Sequence, residues 1–400
     1  MALLPVDEAR QRILDSVRPL SVETIALDKA CGRVLGFDVK ARRDQPPFAA
    51  SAMDGYAVRH EDVQELPHIL KLIGTSAAGH GFKGRVKPGT AVRILTGAPL
   101  PKGADTIVIQ ENTEREGDVL RVTGDTAKGK NIRQAGMDFF KGDLLVAKGA
   151  VLSPRDVGLL AAGNAATVRV YRRPNIVLFT TGDELVLPGN RPRADQIVSS
   201  NSHAIAAMAR QFGAKVVNLG IVRDNLKATI SAVRKGLGAD VLLTTGGASV
   251  GDHDYVQAAF RASGVDIGFW KIALRPGKPF MYGRKGKTHV MGLPGNPVSA
   301  LVTARIFLKP LLDRFSGLPD DVSEQVAILD GVLPANDHRQ DYMRATLKVA
   351  PDGQRSVSPF SAQDSSMQRV LQSSQALIVR PPNAPEALNG DLVSVLLLDF

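Results

Sequence analysis

The chain has 400 residues, 44% of them hydrophobic and 22% charged, with a formal net charge of +10. That length exceeds the roughly 250–300 residues at which a single core stops growing, so several domains are expected. The composition excludes a disordered chain, and no apolar run comes near the roughly 18 residues of a membrane-spanning helix.

The basic balance favours anionic ligands. Lys and Arg are nonetheless dispersed, in pairs such as Arg42-Arg43 and Arg172-Arg173, and aromatics make up only 5% of the chain. Stacking platforms for bases are therefore not expected, and neither is a nucleic-acid partner. Cys31 is the only cysteine and is read as a buried, inert thiol, so the fold does not depend on an oxidising compartment. Asp7 and Glu8 interrupt the N-terminus where a signal peptide would run apolar, and a cytoplasmic location is expected.

In chain order, residues 4–18 place Val6, Ala9, Ile13, Leu14 and Val17 at helical spacing. From about Asp44 to Asp138, short Val/Ile/Leu segments alternate with Gly and Pro, the texture of a β-rich module. A helix follows over 153–165, with Ser153 as N-cap, Pro154 in the first turn and Gly163 near its end. It is expected to pack with the N-terminal helix, which would make the β-rich module an insertion in a helical domain.

Residues 174–316 alternate strand and helix: "NIVLFT", "SNSHAIAAMARQFG", "KVVNLGIV", "NLKATISAVRKGLG", "DVLLT", "DHDYVQAAFRASG", "KTHVMGL" and a long last helix from Pro297. That alternation predicts a parallel sheet with helices on both faces. After about Leu318, short strands predict a small β domain or barrel. The expected organisation is a multidomain α/β protein with a doubly wound α/β domain. Its parts are a discontinuous helical domain (1–43 and 141–172), an inserted β-rich module (44–140), the α/β domain (173–317) and a C-terminal β-barrel-like domain (318–400).

The chemistry gathers in the loops after the α/β strands, where open sheets bind ligands. "TTGGASVGDHD" (244–254) carries Gly246, Gly247 and Gly251, which let backbone N–H groups approach an anion, followed by a helix N-terminus. Asp252 and Asp254 alone read equally well as a helix cap and a first-turn acid. Asp183, Glu184 and Asp224, however, belong to loops at the same sheet edge. Carboxylates beside a phosphate-cradling loop call for a hard cation, and Mg²⁺ held by a few carboxylates plus substrate phosphates meets that need. Lys271, Arg275 and Lys278 supply fixed positive charge for a phosphate or oxyanion, or else form a solvated basic loop. "GRKGKTH" lacks the phosphate-loop spacing, no serine-hydrolase elbow or zinc motif is present, and His203, His253 and His289 are scattered. The residues alone indicate a phosphate-handling, Mg²⁺-assisted α/β enzyme of unspecified substrate.

Seven ordered segments narrow that reading: "PPFAASAMDGYAV" (46–58), "RILTGAPLPKGADTIV" (93–108), "NIRQAGMDF" (131–139), "TTGDEL" (180–185), "TTGGASVGDHDY" (244–255), "KIALRPGKP" (271–279) and "GLPGNPVSA" (292–300). Together they resemble the MoeA family of molybdopterin molybdenumtransferases, which includes the C-terminal domain of gephyrin. The resemblance implies insertion of molybdate into the dithiolene of adenylylated molybdopterin, with Mg²⁺-dependent release of AMP. It implies functional positions at Asp54, Thr96, Asp138, Glu184, Asp224 and Asp254. Of these, Glu184 and Asp254 would serve the Mg²⁺ and the adenylyl phosphate, and Asp224 the substrate. The substrate-binding set further comprises Thr181, Gly182, Gly246, Gly247, Ser249, Gly251, Lys271, Arg275 and Lys278, with Pro294 and Pro297 stiffening the last loop. Without the resemblance, Asp54 and Thr96 read as turn residues and Asp138 as a local cap.

The resemblance also implies a homodimer whose cleft joins the α/β domain of one subunit to the β module of the other. Contacts with a molybdopterin adenylyltransferase and with acceptor molybdoenzymes would follow. Arg275 stands where many members carry Lys, and "SAQDSSMQRVLQSSQ" (361–375) matches the family's glycine-containing version only loosely. Two other readings share parts of the pattern. The preceding adenylylation step uses the same α/β loops without the 44–138 module or the C-terminal domain, and a peptide-binding scaffold would not need the acidic and basic loop residues.

Overall fold

A computed structural model describes residues 3–247, 255–319 and 324–400. The chain divides into two compact units, one formed by Met1–Glu23 with Tyr171–Phe400, the other by Thr24–Val170.

The first unit is built on a six-stranded sheet in the order Lys215–Val222, Asn175–Thr181, Val241–Thr245, Thr288–Leu293, Met281–Lys285, Asp266–Trp270. The first four strands are parallel, with Thr180 beside Thr245 and Thr245 beside Leu293 in register. All residues of Val241–Thr245 are buried, as expected for a central strand covered on both faces. The last two strands, not read from the sequence, extend the sheet through antiparallel pairings. Their mixture of Gly, Arg and aromatic residues hides the alternation that marks a strand.

Helices cover both faces. Asn201–Gln211 and the run from Pro297 to Phe315 pack Ile205, Met208, Val302 and Phe307 on one side. On the other, Leu226–Gly236 and Tyr255–Ala262 bring Val233, Val256 and Phe260 against Leu242 and Val290. Leu226–Gly236 starts where Asn225 accepts from the Ala228 amide (2.8 Å), and Arg234 and Lys235 complement the dipole in its last turn. The N-terminal helix Val6–Asp15 buries Val6, Ala9 and Ile13 in the first of these cores. It thus belongs to the α/β core, where its apolar stripe is buried beside the long last helix, whereas the sequence suggested a helical domain shared with residues 153–165.

The C-terminal strands Glu324–Leu329, Gln340–Val349, Arg355–Pro359, Ala376–Arg380 and Leu392–Leu397 close into a barrel, since Gln340–Val349 pairs with both Arg355–Pro359 and Ala376–Arg380. Leu329, Val357, Ile378 and Val395 fill it. The two-residue strand Leu274–Arg275 joins the α/β domain to the barrel by pairing with Gln340 and Asp341.

The second unit holds a six-stranded sheet in the order Thr106–Ile109, Gly55–Val58, Thr90–Ile94, His68–Ser76, Val119–Val122, Thr113–Glu116. The flanking part carries the α-helix Pro154–Ala162 on short β ladders around Leu35, Leu160 and Val170. Ser153 and Asp156 form a reciprocal capping box, and Gly163 ends the helix. Cys31, expected to be buried, is exposed because it lies in a turn before Gly32.

At the amino ends of the α/β strands sits a buried polar chain. Ser16 Oγ, Tyr282 OH and His289 Nδ1 follow one another at 2.9 and 2.8 Å. Nearby, Arg172 grips Asp240 through two bonds of 2.7 Å. Burial, together with the neighbouring Arg284 charge, lowers the His289 pKa to about 4. The unfolded chain therefore takes up a proton near pH 6.5 that the folded chain refuses. This stability is fully present above the unfolded value and is lost as pH falls towards 4. Urea unfolding of wild type and His289→Gln at pH 7 and pH 4.5 should show the wild type losing up to about 3 kcal/mol more than the variant; identical losses would refute the assignment.

Candidate functional site

The carboxyl ends of Asn175–Thr181 and Val241–Thr245, with the segment after Thr288–Leu293, open onto a cleft of about 450 Å³. Its lining includes Thr180, Thr181, Glu184, Asn201, Thr245, Gly246, Gly295, Asn296 and Pro297 from the α/β domain, and Ser366 and Gln368 from the barrel domain. The in-register pairing of Thr180 with Thr245 places their hydroxyls in mutual hydrogen bonding at the cleft floor.

Gly246 has φ +83°, and a Cβ there would stand 2.5 Å from the Thr181 carbonyl oxygen. A side chain cannot fit between the two loops, so the backbone of Gly246 reaches the cleft directly. A Cβ on Gly182 would meet the Glu184 carboxylate at 2.7 Å, so that glycine leaves room for the acid to fold back over its own loop. Thr181 Oγ1 is buried with no hydrogen-bond partner among the described residues. A buried hydroxyl left unpaired at the wall of a cleft is a place for a ligand oxygen or water.

Among the described acids expected here, Glu184 alone lines the cleft. Asp183 and Asp224 serve the loop backbones: Asp183 Oδ1 accepts from the Asp224 amide (3.1 Å) and Asp224 Oδ2 from the Asp183 amide (3.3 Å). Gly247 adjoins Thr181 at φ +60°. Ser249, Gly251 and Asp254 lie outside the described residues. No group of three or more His, Cys, Asp or Glu suited to a metal occurs among the described residues. Mg²⁺ needs only one or two protein carboxylates when substrate phosphates complete its shell. The Glu184 carboxylate is a hard oxygen donor of that kind, and the unpaired Thr181 hydroxyl beside it leaves a place for a phosphate oxygen, so the residues present suit the ion together with its phosphate.

The basic segment is placed differently from its acidic neighbours. Arg275 donates to Asp341 (Nε–Oδ2 2.8 Å), Asp337 (Nη1–Oδ2 3.3 Å) and Asn336 (Nη2–Oδ1 3.0 Å), and its pKa is raised first by the Asp341 bond. Its donors are thus directed at the barrel rim. Lys271 adopts φ +69° and sets its ammonium 4.4 Å from the Trp270 ring centroid. Lys278 is exposed, and its carbonyl accepts from the Ile272 amide. None of the three lines the cleft among the described residues. Pro294 precedes Gly295, and Pro297 opens the last helix behind Asn296.

In the second unit, Asp54 Oδ1 accepts from both the amide (2.7 Å) and the hydroxyl (2.8 Å) of Thr96. These bonds, the amide first, hold the Asp54 carboxyl below the usual carboxylate range although it is exposed. Two residues 42 positions apart in the chain are joined because Gly55 and Ile94 are paired in adjacent strands. Asp138 is exposed, with its amide bonded to the Gln45 carbonyl (2.9 Å) in a turn where Gly136 also bonds Pro46.

Three family models match the chain: the MoeA N-terminal region (domain I and II) over residues 4–163, a probable molybdopterin binding domain over 177–314, and the MoeA C-terminal region (domain IV) over 326–398. A molybdopterin molybdenumtransferase of Haemophilus influenzae is 34% identical over 98% of both chains. The chain belongs to the MoeA family. Mycobacterium tuberculosis molybdopterin molybdenumtransferase 2 is 35% identical, again over 98% of each chain. A crystal structure of a MoeA molybdopterin biosynthesis protein from Pyrococcus horikoshii superposes with a TM-score of 0.85 at 28% identity, covering all of both chains.

Ser366 and Gln368 are cleft residues that sequence reasoning missed. They sit in the segment 361–375. Asn296 Nδ2 donates to Ser365 Oγ (2.7 Å), the Val298 amide to the Ser365 carbonyl (3.0 Å), and Gln368 Nε2 to Ser200 Oγ (2.8 Å), so the barrel domain closes one side of the cleft. The signal available was the Ser/Gln-rich composition of 361–375, which supplies hydrogen-bonding groups without a motif.

Two outcomes check this geometry. Thr96→Val should move the Asp54 pKa upward in a carboxyl NMR titration, and an unchanged value would contradict the bond. Gly246→Ala should lower unfolding stability by about 1–3 kcal/mol through backbone strain; a neutral effect on the denaturation midpoint would mean that the loop tolerates a side chain.

Proposed function

We propose that this protein inserts molybdate into the dithiolene of adenylylated molybdopterin and releases AMP, yielding molybdenum cofactor. The observation that carries the reading is the match over 98% of both chains to a protein named molybdopterin molybdenumtransferase. The cleft supports it: a glycine-walled floor suits an anion, and a carboxylate stands beside it.

In this reading, the backbone at Gly246 and the Thr181 hydroxyl take the phosphate oxygens of the adenylyl group. Lys271 and Lys278 add positive charge for molybdate or phosphate, while Arg275 ties their segment to the barrel. Water breaks the phosphoanhydride, its oxygen passing to one phosphorus as the other phosphate leaves. Mg²⁺, bound by Glu184 with Asp254, would neutralise charge on those phosphates. Asp54 stays ionised through its bonds to Thr96, which suits it to accept a hydrogen bond and orient a substrate proton. Asp138 and Asp224 complete the acidic set, and Pro294 and Pro297 fix the loop behind it.

The reading includes a homodimer in which Asp54 of one subunit serves the Glu184 cleft of the other. It also places the protein in the cytoplasm, between the adenylyltransferase that makes its substrate and the molybdoenzymes that take its product. No helix among the described residues is long and apolar enough to cross a membrane.

Purified protein given adenylylated molybdopterin and Mg²⁺ should release AMP only when molybdate is present. Asp54→Ala and Glu184→Ala should each lower that rate by about 100-fold or more. Release without molybdate, or consumption of ATP to make the substrate, would instead favour the adenylylation step. Verified heterodimers of the two variants should recover about half the wild-type rate, since one of two symmetric sites is then intact. No recovery would rule out the shared site.

A further inference from the structure

We infer that the apolar wall of the cleft, formed by Leu185 and Ile197, is the seat for a planar heteroaromatic ring of the substrate. The inference rests on the functional reading above and deepens it by assigning a specificity-determining surface.

Leu185 pairs in register with Ile197 on a short parallel ladder, and Val186 with Val198. The ladder is held by the Ile197 amide on the Glu184 carbonyl and the Ser199 amide on the Val186 carbonyl, both 2.8 Å. Paired residues of a ladder share a face, so Leu185 and Ile197 stand side by side. Ile197 is 60% and Val198 45% exposed. A single exposed aliphatic side chain is ordinary on a protein surface. Here two, Leu185 and Ile197, stand together on one wall of a concave site whose other lining is mostly hydroxyl, amide and glycine. That combination is how ligand pockets are built, with an apolar surface for the body of the ligand and a few polar groups for its edges.

The chemistry of the wall selects its occupant. A flat heteroaromatic ring has an apolar face that lies on aliphatic side chains and a polar edge that takes hydrogen bonds, and Asn201, Asn296 and Gln368 line the same cleft. An alkyl chain would leave those amides unused, and a bare oxyanion would leave the aliphatic wall wet. The Ile197 amide is bonded to Glu184, so a ring seated on the wall is indexed to the carboxylate beside the phosphate-binding floor. Adenine and the pyrimidinone ring of the pterin share this ring chemistry, and both belong to the adenylylated substrate.

Equilibrium titration calorimetry on full-length wild type, Ile197→Ser and Ile197→Val separates them, with AMP, ribose 5-phosphate and non-adenylylated molybdopterin as probes. Ile197→Ser should weaken AMP or molybdopterin by about fivefold, leave ribose 5-phosphate unchanged, and be largely rescued by Ile197→Val. A loss confined to AMP names adenine as the occupant, and one confined to molybdopterin names the pterin. Unchanged affinity for both, an equal loss for ribose 5-phosphate, or no binding of either ring ligand by the wild type would overturn the proposal. If molybdate-dependent AMP release is absent while the ring ligands still weaken selectively, the activity assignment fails and the ring seat stands.

Discussion

Three parallel strands of the first unit, Asn175–Thr181, Val241–Thr245 and Thr288–Leu293, end at one level, and everything at the cleft depends on it. Burial on both faces leaves them no freedom to slip, because a shift of one residue would turn every side chain to the opposite face. Thr181, Gly246 and Gly295 are delivered to one edge by hydrogen bonds made well below it. The apolar part of each strand thus performs a positional task for the polar residues that follow.

The charges of the molecule divide by what they touch. Arg172 with Asp240, and Arg275 with Asp341 and Asp337, satisfy one another within the first unit. Asp183 and Asp224 each accept a backbone amide and keep two loops parallel. Glu184 is the acid left to line the cleft among the described residues, and its surroundings are hydroxyls and glycines. An excess of basic residues across the chain is therefore compatible with a site whose immediate chemistry is an acid beside an anion-binding floor. In the second unit, hydrogen bonds from Thr96, with the Arg93 charge adding to them, lower the Asp54 pKa and favour its ionised form.

The barrel domain takes part in the cleft through a segment with little regular structure. Ser365, Ser366 and Gln368 reach Asn296, the helix start at Val298 and Ser200 by side-chain and backbone hydrogen bonds. Such contacts need only a donor or acceptor at the right place, so they leave no periodic pattern in the sequence. The short ladder at Leu185 and Ile197 is similar in this respect: two residues on each side carry no periodicity to read, yet they shape the wall of the site.

The periodic elements were determined by the sequence itself. The N-terminal helix, the Ser153 cap, the alternating strands and helices from Asn175 and the closing β strands all follow from apolar spacing, capping residues and turn residues acting over a few positions. The glycine loops and the acids beside them were legible for the same reason, since a close backbone approach demands glycine wherever it occurs. What only the tertiary structure decided is which distant residues meet. Arg275 was legible only as a positive charge, and its bonds to Asp337 and Asp341, more than sixty positions away, come from the fold. The N-terminal helix lies in the α/β core, where Val6, Ala9 and Ile13 are buried among residues far along the chain. Asp266–Trp270 and Met281–Lys285 became strands because an open sheet edge offered hydrogen bonds that their own side-chain pattern does not announce. Local propensity acts through neighbours in the chain, whereas partnership is set by burial and hydrogen bonding across it, and the latter exists only once the chain has folded.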